Sequence, residues 1–253
     1  YTVDGGEGND IITVETSDNK GLITGGAGND KIYVIGSNNT NIQGGANDDY
    51  IEMNGNNNNI NGTSGNNTII VNGTISNSNS IIGGSGNDNI TINSSNNTGL
   101  ISGGNGNDNF IVNGSNNTNI NGDNGNNTLQ INGNNNTSYN FETIDINNAN
   151  GIVNLQANIA TTIKINGKTY TITAKEAQTM NYSLTGELLN INLKNSNIVA
   201  KNNQTDNLKI TGNGNTIDIN NGNDRLEIFG DNNIIKTSKN NKNINITGNN
   251  NNY

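Results

Sequence analysis

Hydrophobic residues along this chain recur as short alternating runs at a nearly constant spacing. Ile11-Ile12-Thr13-Val14 and Asn89-Ile90-Thr91-Ile92 are two such runs, each following a Gly- and Asn-rich segment. Alternation of this kind predicts a β-strand with one buried face. The predicted inward pairs are Ile12 and Val14, Ile32 and Val34, Ile51 and Met53, Ile69 and Val71, Ile90 and Ile92, Phe110 and Val112, and Leu129 and Ile131.

A second, shorter strand is predicted in each period, after a polar turn such as Gly36-Ser37-Asn38-Asn39-Thr40. Three inward aliphatic residues per period cannot form a core alone, so successive periods must stack with parallel strands about 4.8 Å apart. The predicted fold is therefore all-β, a parallel β-solenoid (β-roll or β-helix) with about 18–21 residues and two short strands per coil. The inward residues of the second strand are Ile23, Ile42, Ile60, Ile81, Ile101 and Ile120.

The segments before the alternating runs share the frame Gly-Gly-x-Gly-Asn-Asp. Residues 5–10, 25–30, 83–88 and 103–108 match it fully, and Asn47 replaces one glycine in 44–49. Two weaker copies, 62–67 and 122–127, end in Asn instead of Asp. This fixed recurrence indicates a repeat architecture, because a disordered polar chain does not keep apolar residues in phase.

Composition and charge restrict the class of protein further. The 253 residues include 33 Gly and no Cys or His, and only 29% are hydrophobic, too few for one large globular core. A net charge of −9 argues against nucleic acid or an anionic membrane as a partner and favours cations. No apolar stretch has the length of a membrane helix, so membrane insertion is not expected.

The Gly-rich frame has the chemistry of a hard-cation site. Glycines allow a positive φ and a sharp turn that directs carbonyl oxygens inward, and the terminal Asp adds a carboxylate. Oxygen-only ligands in a flexible ring favour Ca²⁺ over Mg²⁺. A single loop offers too few ligands for Ca²⁺, so each ion is expected between loops of adjacent coils. The alternative is that Gly-Asn-Asp forms a solenoid corner without metal.

The frame, with its following x-Ile-x, closely resembles the nonapeptide repeat of RTX proteins, which bind Ca²⁺ in a parallel β-roll. The resemblance covers residues 1 to about 133. Unlike typical RTX arrays, the frame stands on one side of each coil only, which is more similar to the repeat domains of large RTX adhesins, including ice-binding ones, and implies one row of several Ca²⁺ ions. By this resemblance the ligands would be the carboxylates of Asp10, Asp30, Asp49, Asp88 and Asp108 and the carbonyls of Gly6, Gly8, Gly26, Gly28, Gly84, Gly86, Gly104 and Gly106, with weaker positions at Asn67, Asn127 and Asp224.

The regular pattern ends after Asn136. The predicted organisation is a Ca²⁺-binding block over 1–137, a junction or insertion over 138–185, and a second solenoid block with degenerate loops over 186–253. In the junction we expect a strand over Tyr139–Ile146, a β-hairpin over Thr161–Ile172 around Asn166-Gly167, and one or two helical turns within Ala174–Met180. In the second block, the position of the terminal Asp is held by Glu187, Asp206, Asp224 and Lys242.

Three functions remain open from the sequence. The first is a non-enzymatic structural protein, an adhesin extender or surface-layer segment stiffened by Ca²⁺, which the resemblance places outside a bacterial cell or on its surface. The second is ice binding through the ladder Asn9, Asn29, Asn66, Asn87, Asn107 and Asn126, which Asp48 interrupts. The third is the calcium-binding repeat module of a secreted toxin or enzyme.

Catalysis within the chain itself is not expected, because His and Cys are absent and no carboxylate pair departs from the repeat frame. Tyr1 stands where Met would, so a processed chain or a piece of a longer one is expected. The open ends of a solenoid expose unpaired strand edges. We therefore expect self-association there, or continuation into further repeats.

Overall fold

The computed structural model describes residues 1–147, 149–165, 167–185, 188–200, 207–219, 225–237 and 243–253. These residues form β-strands and the turns between them, and they contain no helix. It follows that none of the described residues belongs to a helix that could cross a membrane. The chain divides into two compact units, Tyr1–Phe141 and Glu142–Tyr253.

Unit 1 is a parallel β-solenoid, as the alternating pattern predicted. Odd-numbered strands form one sheet, in the order β1-β3-β5-β7-β9-β11-β13-β15, and even-numbered strands form the other, β2-β4-β6-β8-β10-β12-β14. Each coil therefore contributes one strand to each sheet. The strands are β1 Val3–Glu7, β2 Ile11–Val14, β3 Ile23–Ala27, β4 Lys31–Val34, β5 Ile42–Ala46, β6 Tyr50–Met53, β7 Ile60–Thr63, β8 Thr68–Val71, β9 Ser80–Ser85, β10 Asn89–Ile92, β11 Leu100–Asn105, β12 Asn109–Val112, β13 Ile120–Asn121, β14 Thr128–Ile131 and β15 Asn136–Tyr139.

The core of unit 1 lies between the two sheets and is built from like residues stacked in register. Ile32 pairs with Ile51, and Ile51 with Ile69, from coil to coil. All of the predicted inward residues are buried except Ile12 in the first coil, which is half-buried. β-Branched side chains suit this arrangement because their restricted rotamers pack well on a pleated surface.

Unit 2 is also a two-sheet stack, but one of its coils runs backwards. Its strand orders are β17-β20-β21-β23-β25-β27 and β16-β18-β19-β22-β24-β26. β19 is antiparallel to both β18 and β22, and β20 is antiparallel to both β17 and β21, whereas the later neighbours are parallel. The strands are β16 Thr143–Ile146, β17 Gly151–Leu155, β18 Ala160–Ile165, β19 Lys168–Ala174, β20 Gln178–Thr185, β21 Leu188–Asn192, β22 Ser196–Ala200, β23 Asn207–Thr211, β24 Thr216–Asp218, β25 Arg225–Phe229, β26 Ile234–Lys236 and β27 Asn243–Thr247.

The predictions for the junction have mixed outcomes. The hairpin is confirmed by the antiparallel pair β18 and β19, with Gly167 at φ 77° in its turn, while Asn166 lies outside the described residues. The helical turns within Ala174–Met180 are wrong, because β19 ends at Ala174 and β20 begins at Gln178. Pairing of β20 with two neighbouring strands outweighs the local helix preference of this segment.

The strand predicted over Tyr139–Ile146 is two strands, β15 and β16. The break follows from Asn140, whose φ of 60° is incompatible with a continuing strand. In the second block the apolar pairs after the degenerate loops lie in strands, and Leu208, Ile210, Leu226 and Ile228 are buried. The loop positions Glu187, Asp206, Asp224 and Lys242 lie outside the described residues.

Candidate cation-binding corner

The Gly-Gly-x-Gly-Asn-Asp segments form the corner where each coil of unit 1 passes from the odd-numbered sheet to the even-numbered one. The last residue of each segment points into the corner and stacks on its counterparts in neighbouring coils. Asp30, Asp49, Asp88 and Asp108 are only 1–3% exposed. We call the whole stack the aspartate row; its members are Asp10, Asp30, Asp49, Asn67, Asp88, Asp108 and Asn127.

The glycines of the frame are required by the backbone angles of the turn and by close contacts with neighbouring atoms. The second and third take positive φ, 106° at Gly26 and 133° at Gly28. A Cβ on Gly28 would also lie 2.1 Å from the carbonyl oxygen of Gly8 in the adjacent coil. The first glycine has a negative φ, but a Cβ on Gly25 would lie 2.1 Å from Oδ2 of Asp30. The backbone therefore turns tightly around the buried carboxylate.

One oxygen of every row member after Asp10 has a hydrogen-bond donor. Each Oδ1 accepts the backbone N–H of the preceding row member, as when Asp10 N–H donates to Asp30 Oδ1 at 2.7 Å and Asp88 N–H donates to Asp108 Oδ1 at 2.8 Å. The same bond continues through the two asparagines, so that Asp49 N–H donates to Asn67 Oδ1 at 3.0 Å. The row is thus a continuous ladder along the stack of coils.

The other oxygen of every aspartate in the row has none. Oδ2 of Asp10, Asp30, Asp49, Asp88 and Asp108 is buried and has no hydrogen-bond partner. A buried polar atom without a partner costs about 1–3 kcal/mol, and more when it is charged. Five such atoms stand at the same position of the repeat, and each could be satisfied by a proton or a cation.

A carbonyl oxygen from the next coil lies beside this orphan oxygen. A Cβ on Gly83 would lie 2.5 Å from Asp88 Oδ2 and 2.4 Å from the carbonyl oxygen of Gly103, so both oxygens flank one point. Gly5 has the same surroundings, Asp10 Oδ2 and the carbonyl oxygen of Gly25. The strand pairing skips the first glycine in each of these coils. Two oxygens facing each other repel unless a proton or cation lies between them.

The two asparagines of the row show what this position requires. At Asn67 the amide Nδ2 replaces the orphan oxygen and donates to the carbonyls of Gly83 and Gly65, both at 3.3 Å. At Asn127, Nδ2 donates to the carbonyl of Asn140 at 3.4 Å. An amide therefore satisfies the corner with its own hydrogens, whereas an ionised aspartate has none to donate.

Burial also raises the pKa of three aspartates in the row. It raises the pKa of Asp49 to about 6, with smaller contributions from the carboxylates of Asp30 and Asp48. It likewise raises the pKa of Asp88 to about 6, with a contribution from Asp108, and the pKa of Asp108 is raised mainly by burial. Without a cation, the corner thus disfavours the charged form of its own carboxylates.

The opposite corner of each coil has a neutral counterpart of the row. Asn58 Oδ1 accepts the backbone N–H of Asn39 at 2.9 Å, and its Nδ2 donates to the carbonyls of Gly36 and Gly55 at 2.9 and 3.1 Å. Its members are Asn19, Asn39, Asn58, Asn97, Asn117 and Asn136. Apart from the coil of Ile75, whose side chain has no acceptor, this corner has the same kind of ladder of backbone bonds. The orphan oxygens are therefore a property of the aspartates and not of solenoid corners in general.

The donors present at the corner determine which metal ions could fit it. Among the described residues, no three His, Cys, Asp or Glu side chains come close enough to hold a metal. A carboxylate cage of that kind is therefore absent there, and an ion at this corner would depend on one carboxylate per coil and on backbone carbonyls. The orphan Oδ2 with its facing carbonyl provides an oxygen-only donor set of that type, which fits a hard cation.

The carbonyls predicted from the sequence as ligands differ in part from those that lie near the orphan oxygens. Second-glycine carbonyls already accept strand hydrogen bonds, since Gly45 O accepts Ser64 N–H at 3.2 Å and Gly104 O accepts Asn124 N–H at 3.0 Å. The structure adds the carbonyl of the first glycine of the next coil, which sequence reasoning missed. At Asn67, Nδ2 donates at 3.3 Å both to this carbonyl, on Gly83, and to that of Gly65, which holds the frame position of Gly8 and Gly28. The amide at Asn67 was the available signal, because an asparagine there needs an acceptor. Asp224 lies outside the described residues.

Comparison of the chain with protein-family models, with curated proteins and with solved structures found no match. The site must therefore be interpreted from its own geometry.

Proposed function

We propose that unit 1 is a non-enzymatic structural segment whose coils are held together by Ca²⁺ ions bound along the aspartate row. The observation that carries the proposal is the set of five buried aspartate Oδ2 atoms without a partner. In four of the five coils a carbonyl oxygen of the next coil lies close to the same point as the orphan oxygen. Asparagine, at the same position of another coil, donates a hydrogen bond to such a carbonyl. A cation would provide the positive charge that the carboxylate lacks.

The position of the orphan oxygens makes such an ion a link between coils. Asp49 Oδ2 belongs to one coil, and the facing carbonyl of Gly62 belongs to the next. Ca²⁺ accepts six to eight oxygens in irregular geometry, whereas Mg²⁺ needs a near-ideal octahedron and keeps its waters. A corner built from a single carboxylate and flexible glycine carbonyls suits the less demanding ion.

Electrostatics support the same function. Ionised carboxylates stacked one coil apart repel one another inside a buried corner, and the net charge of the whole chain is −9. Bound cations remove that repulsion, so folding would depend on the Ca²⁺ concentration. Extracellular Ca²⁺ modules bind in the range of about 10⁻⁴–10⁻³ M. We accordingly propose an adhesin extender or surface-layer segment outside a bacterial cell, consistent with the resemblance to RTX repeats.

The decisive experiment is unfolding of the chain in excess EDTA and then with added Ca²⁺ or Mg²⁺, followed by circular dichroism. We expect Ca²⁺ to raise the unfolding temperature well above the EDTA value and Mg²⁺ to raise it far less. A matched variant with Asn at all five aspartate positions of the row should lose this response while remaining folded in EDTA. Equal unfolding temperatures of the wild type in EDTA and Ca²⁺ would contradict the proposal.

Ice binding is a second candidate, supported by an exposed ladder beside the row. Asn29 N–H donates to Asn9 Oδ1 at 2.8 Å, and Asn107 N–H donates to Asn87 Oδ1 at 2.7 Å, so these exposed side chains are held at coil spacing. Their neighbours vary from coil to coil, however, with Glu7 in one coil and Ala27 in the next. Thermal hysteresis and ice-shaping assays test this function, and a Ca²⁺-loaded protein without either activity would exclude it.

A further inference from the structure

The aspartate row is interrupted at one internal position, and the interruption has structural consequences. Three aspartates are followed by Asn67, then by two aspartates and Asn127. Resting on the proposed function, we infer that Asn67 divides the row into two cation-binding groups that load independently. Group 1 consists of Asp10, Asp30 and Asp49, and group 2 consists of Asp88 and Asp108.

The corner at Asn67 is complete without an ion. Its Oδ1 accepts the backbone N–H of Asp49 at 3.0 Å, and its own N–H donates to Asp88 Oδ1 at 2.7 Å. Its Nδ2 donates to two carbonyls at 3.3 Å, one of which is Gly83 O, the equivalent of the carbonyls beside the orphan oxygens. The backbone ladder therefore passes through this coil, but the row member of this coil offers no orphan oxygen to a cation.

The turn at this coil also differs from the turns around the aspartates. In the five aspartate coils the second position of the frame is glycine with φ between 95° and 124°, at Gly6, Gly26, Gly45, Gly84 and Gly104. In the two asparagine coils it is a residue with a side chain and a smaller φ, 79° at Thr63 and 61° at Asp123. Loss of the carboxylate and loss of the glycine thus occur together in both coils.

Hydroxyl groups at the Asn67 coil also bond to carbonyls at the second position of the frame. Ser64 Oγ donates to the carbonyl of Gly45 at 3.2 Å, and Ser85 Oγ donates to the carbonyl of Thr63 at 3.3 Å. Hydroxyl donors therefore take up acceptors on both sides of this coil.

Distance separates the two groups electrostatically. Neighbours within a group are one coil apart, about 4.8 Å, whereas Asp49 and Asp88 are separated by two coils, or roughly 10 Å. Because the Coulomb energy falls with distance, the repulsion across Asn67 is about half of that between neighbours within a group.

Two variants isolate the groups. Asp10→Asn, Asp30→Asn and Asp49→Asn together remove group 1, and Asp88→Asn with Asp108→Asn removes group 2. Asparagine is already accommodated at Asn67 and Asn127, so both variants are expected to fold. Isothermal titration with CaCl₂ gives the number of ions and their midpoints, and hydrogen exchange followed by mass spectrometry shows which coils each addition protects.

We expect each variant to keep the ions of its intact group, with a midpoint within about twofold of the corresponding wild-type step. Protection on adding Ca²⁺ should appear only in coils of the intact group. A shift of the remaining midpoint by tenfold or more, or loss of all binding in either variant, would show a single coupled row and overturn the inference alone. Absence of Ca²⁺ binding to the wild-type chain would overturn the proposed function and this inference with it.

Discussion

Replacement of Asp88 by asparagine is the sharpest test of the corner, because its effect should change sign with the cation. In metal-free protein, Asp88 Oδ2 is buried without a partner beside the carbonyl of Gly103. The amide of Asp88→Asn would donate to that carbonyl as Asn67 donates to Gly83. The substitution should therefore stabilise the metal-free chain and destabilise the Ca²⁺-loaded chain.

The size of the effect follows from the structure in two ways. The pKa of Asp88 is raised from 3.8 to about 6, and each pH unit corresponds to about 1.4 kcal/mol, which gives about 3 kcal/mol at neutral pH. The general penalty for a buried unsatisfied group is about 1–3 kcal/mol. A gain of about 2–3 kcal/mol raises the unfolding temperature of a chain of this size by about 4–12 °C. In Ca²⁺ at 1,000 times its Kd, the wild type gains about 4.1 kcal/mol from this ion. This exceeds the gain of about 2–3 kcal/mol from the substitution, so the variant should be about 1–2 kcal/mol less stable than the wild type.

The assay is thermal unfolding of wild type and Asp88→Asn at pH 7.5, in EDTA and in saturating Ca²⁺. Asp48→Asn is the matched control. Asp48 directly precedes Asp49 of the row but is exposed, and its Oδ1 accepts the N–H of Asn66 at 2.7 Å. The control removes the same charge and should change the unfolding temperature little in either buffer. If Asp88→Asn destabilises the protein in EDTA, the assignment of the orphan oxygen is refuted.

Three further outcomes are expected. In metal-free buffer the wild type should unfold at a higher temperature at pH 4 than at pH 8. The reason is that the pKa values of Asp49 and Asp88 are about 6 in the folded chain and 3.8 in the unfolded chain. The stability that these two groups contribute is complete below pH 3.8 and is lost as the pH rises through 6. An unfolding temperature that rises over this range would contradict it. Gly28→Ala should lower the free energy of unfolding by more than about 3 kcal/mol, because its Cβ would lie 2.1 Å from the carbonyl oxygen of Gly8. Gly8→Ala is the control: it has similar backbone strain but no neighbour within 4 Å, and it should cost about 1–2 kcal/mol. Equal urea midpoints of the two variants would refute the steric argument. Ile51→Ala should destabilise unit 1 by about 3–4 kcal/mol in urea unfolding, because Ile51 is fully buried, and a loss below 1 kcal/mol would show that the stack collapses around the gap.

The sequence by itself determined the repeating part of the fold. Inward residues such as Ile32 and Val34 were identified by alternation, which depends only on the geometry of the strand. The Asn166-Gly167 hairpin was equally local, because the residue types required by its turn stand next to each other in the chain. Stacking of the coils followed since three aliphatic residues per coil cannot be buried in any other way.

The tertiary structure decided the direction of the coils in unit 2 and the chemistry of the corner. Reversal of β19 and β20 depends on pairing with strands distant in sequence, and this pairing also prevented the helical turns expected near Ala174. The orphan Oδ2 of each aspartate is visible only when the next coil brings its first glycine alongside. Sequence order specifies which residues a coil contains, but contacts between coils determine whether a buried carboxylate finds a hydrogen, a proton or a cation.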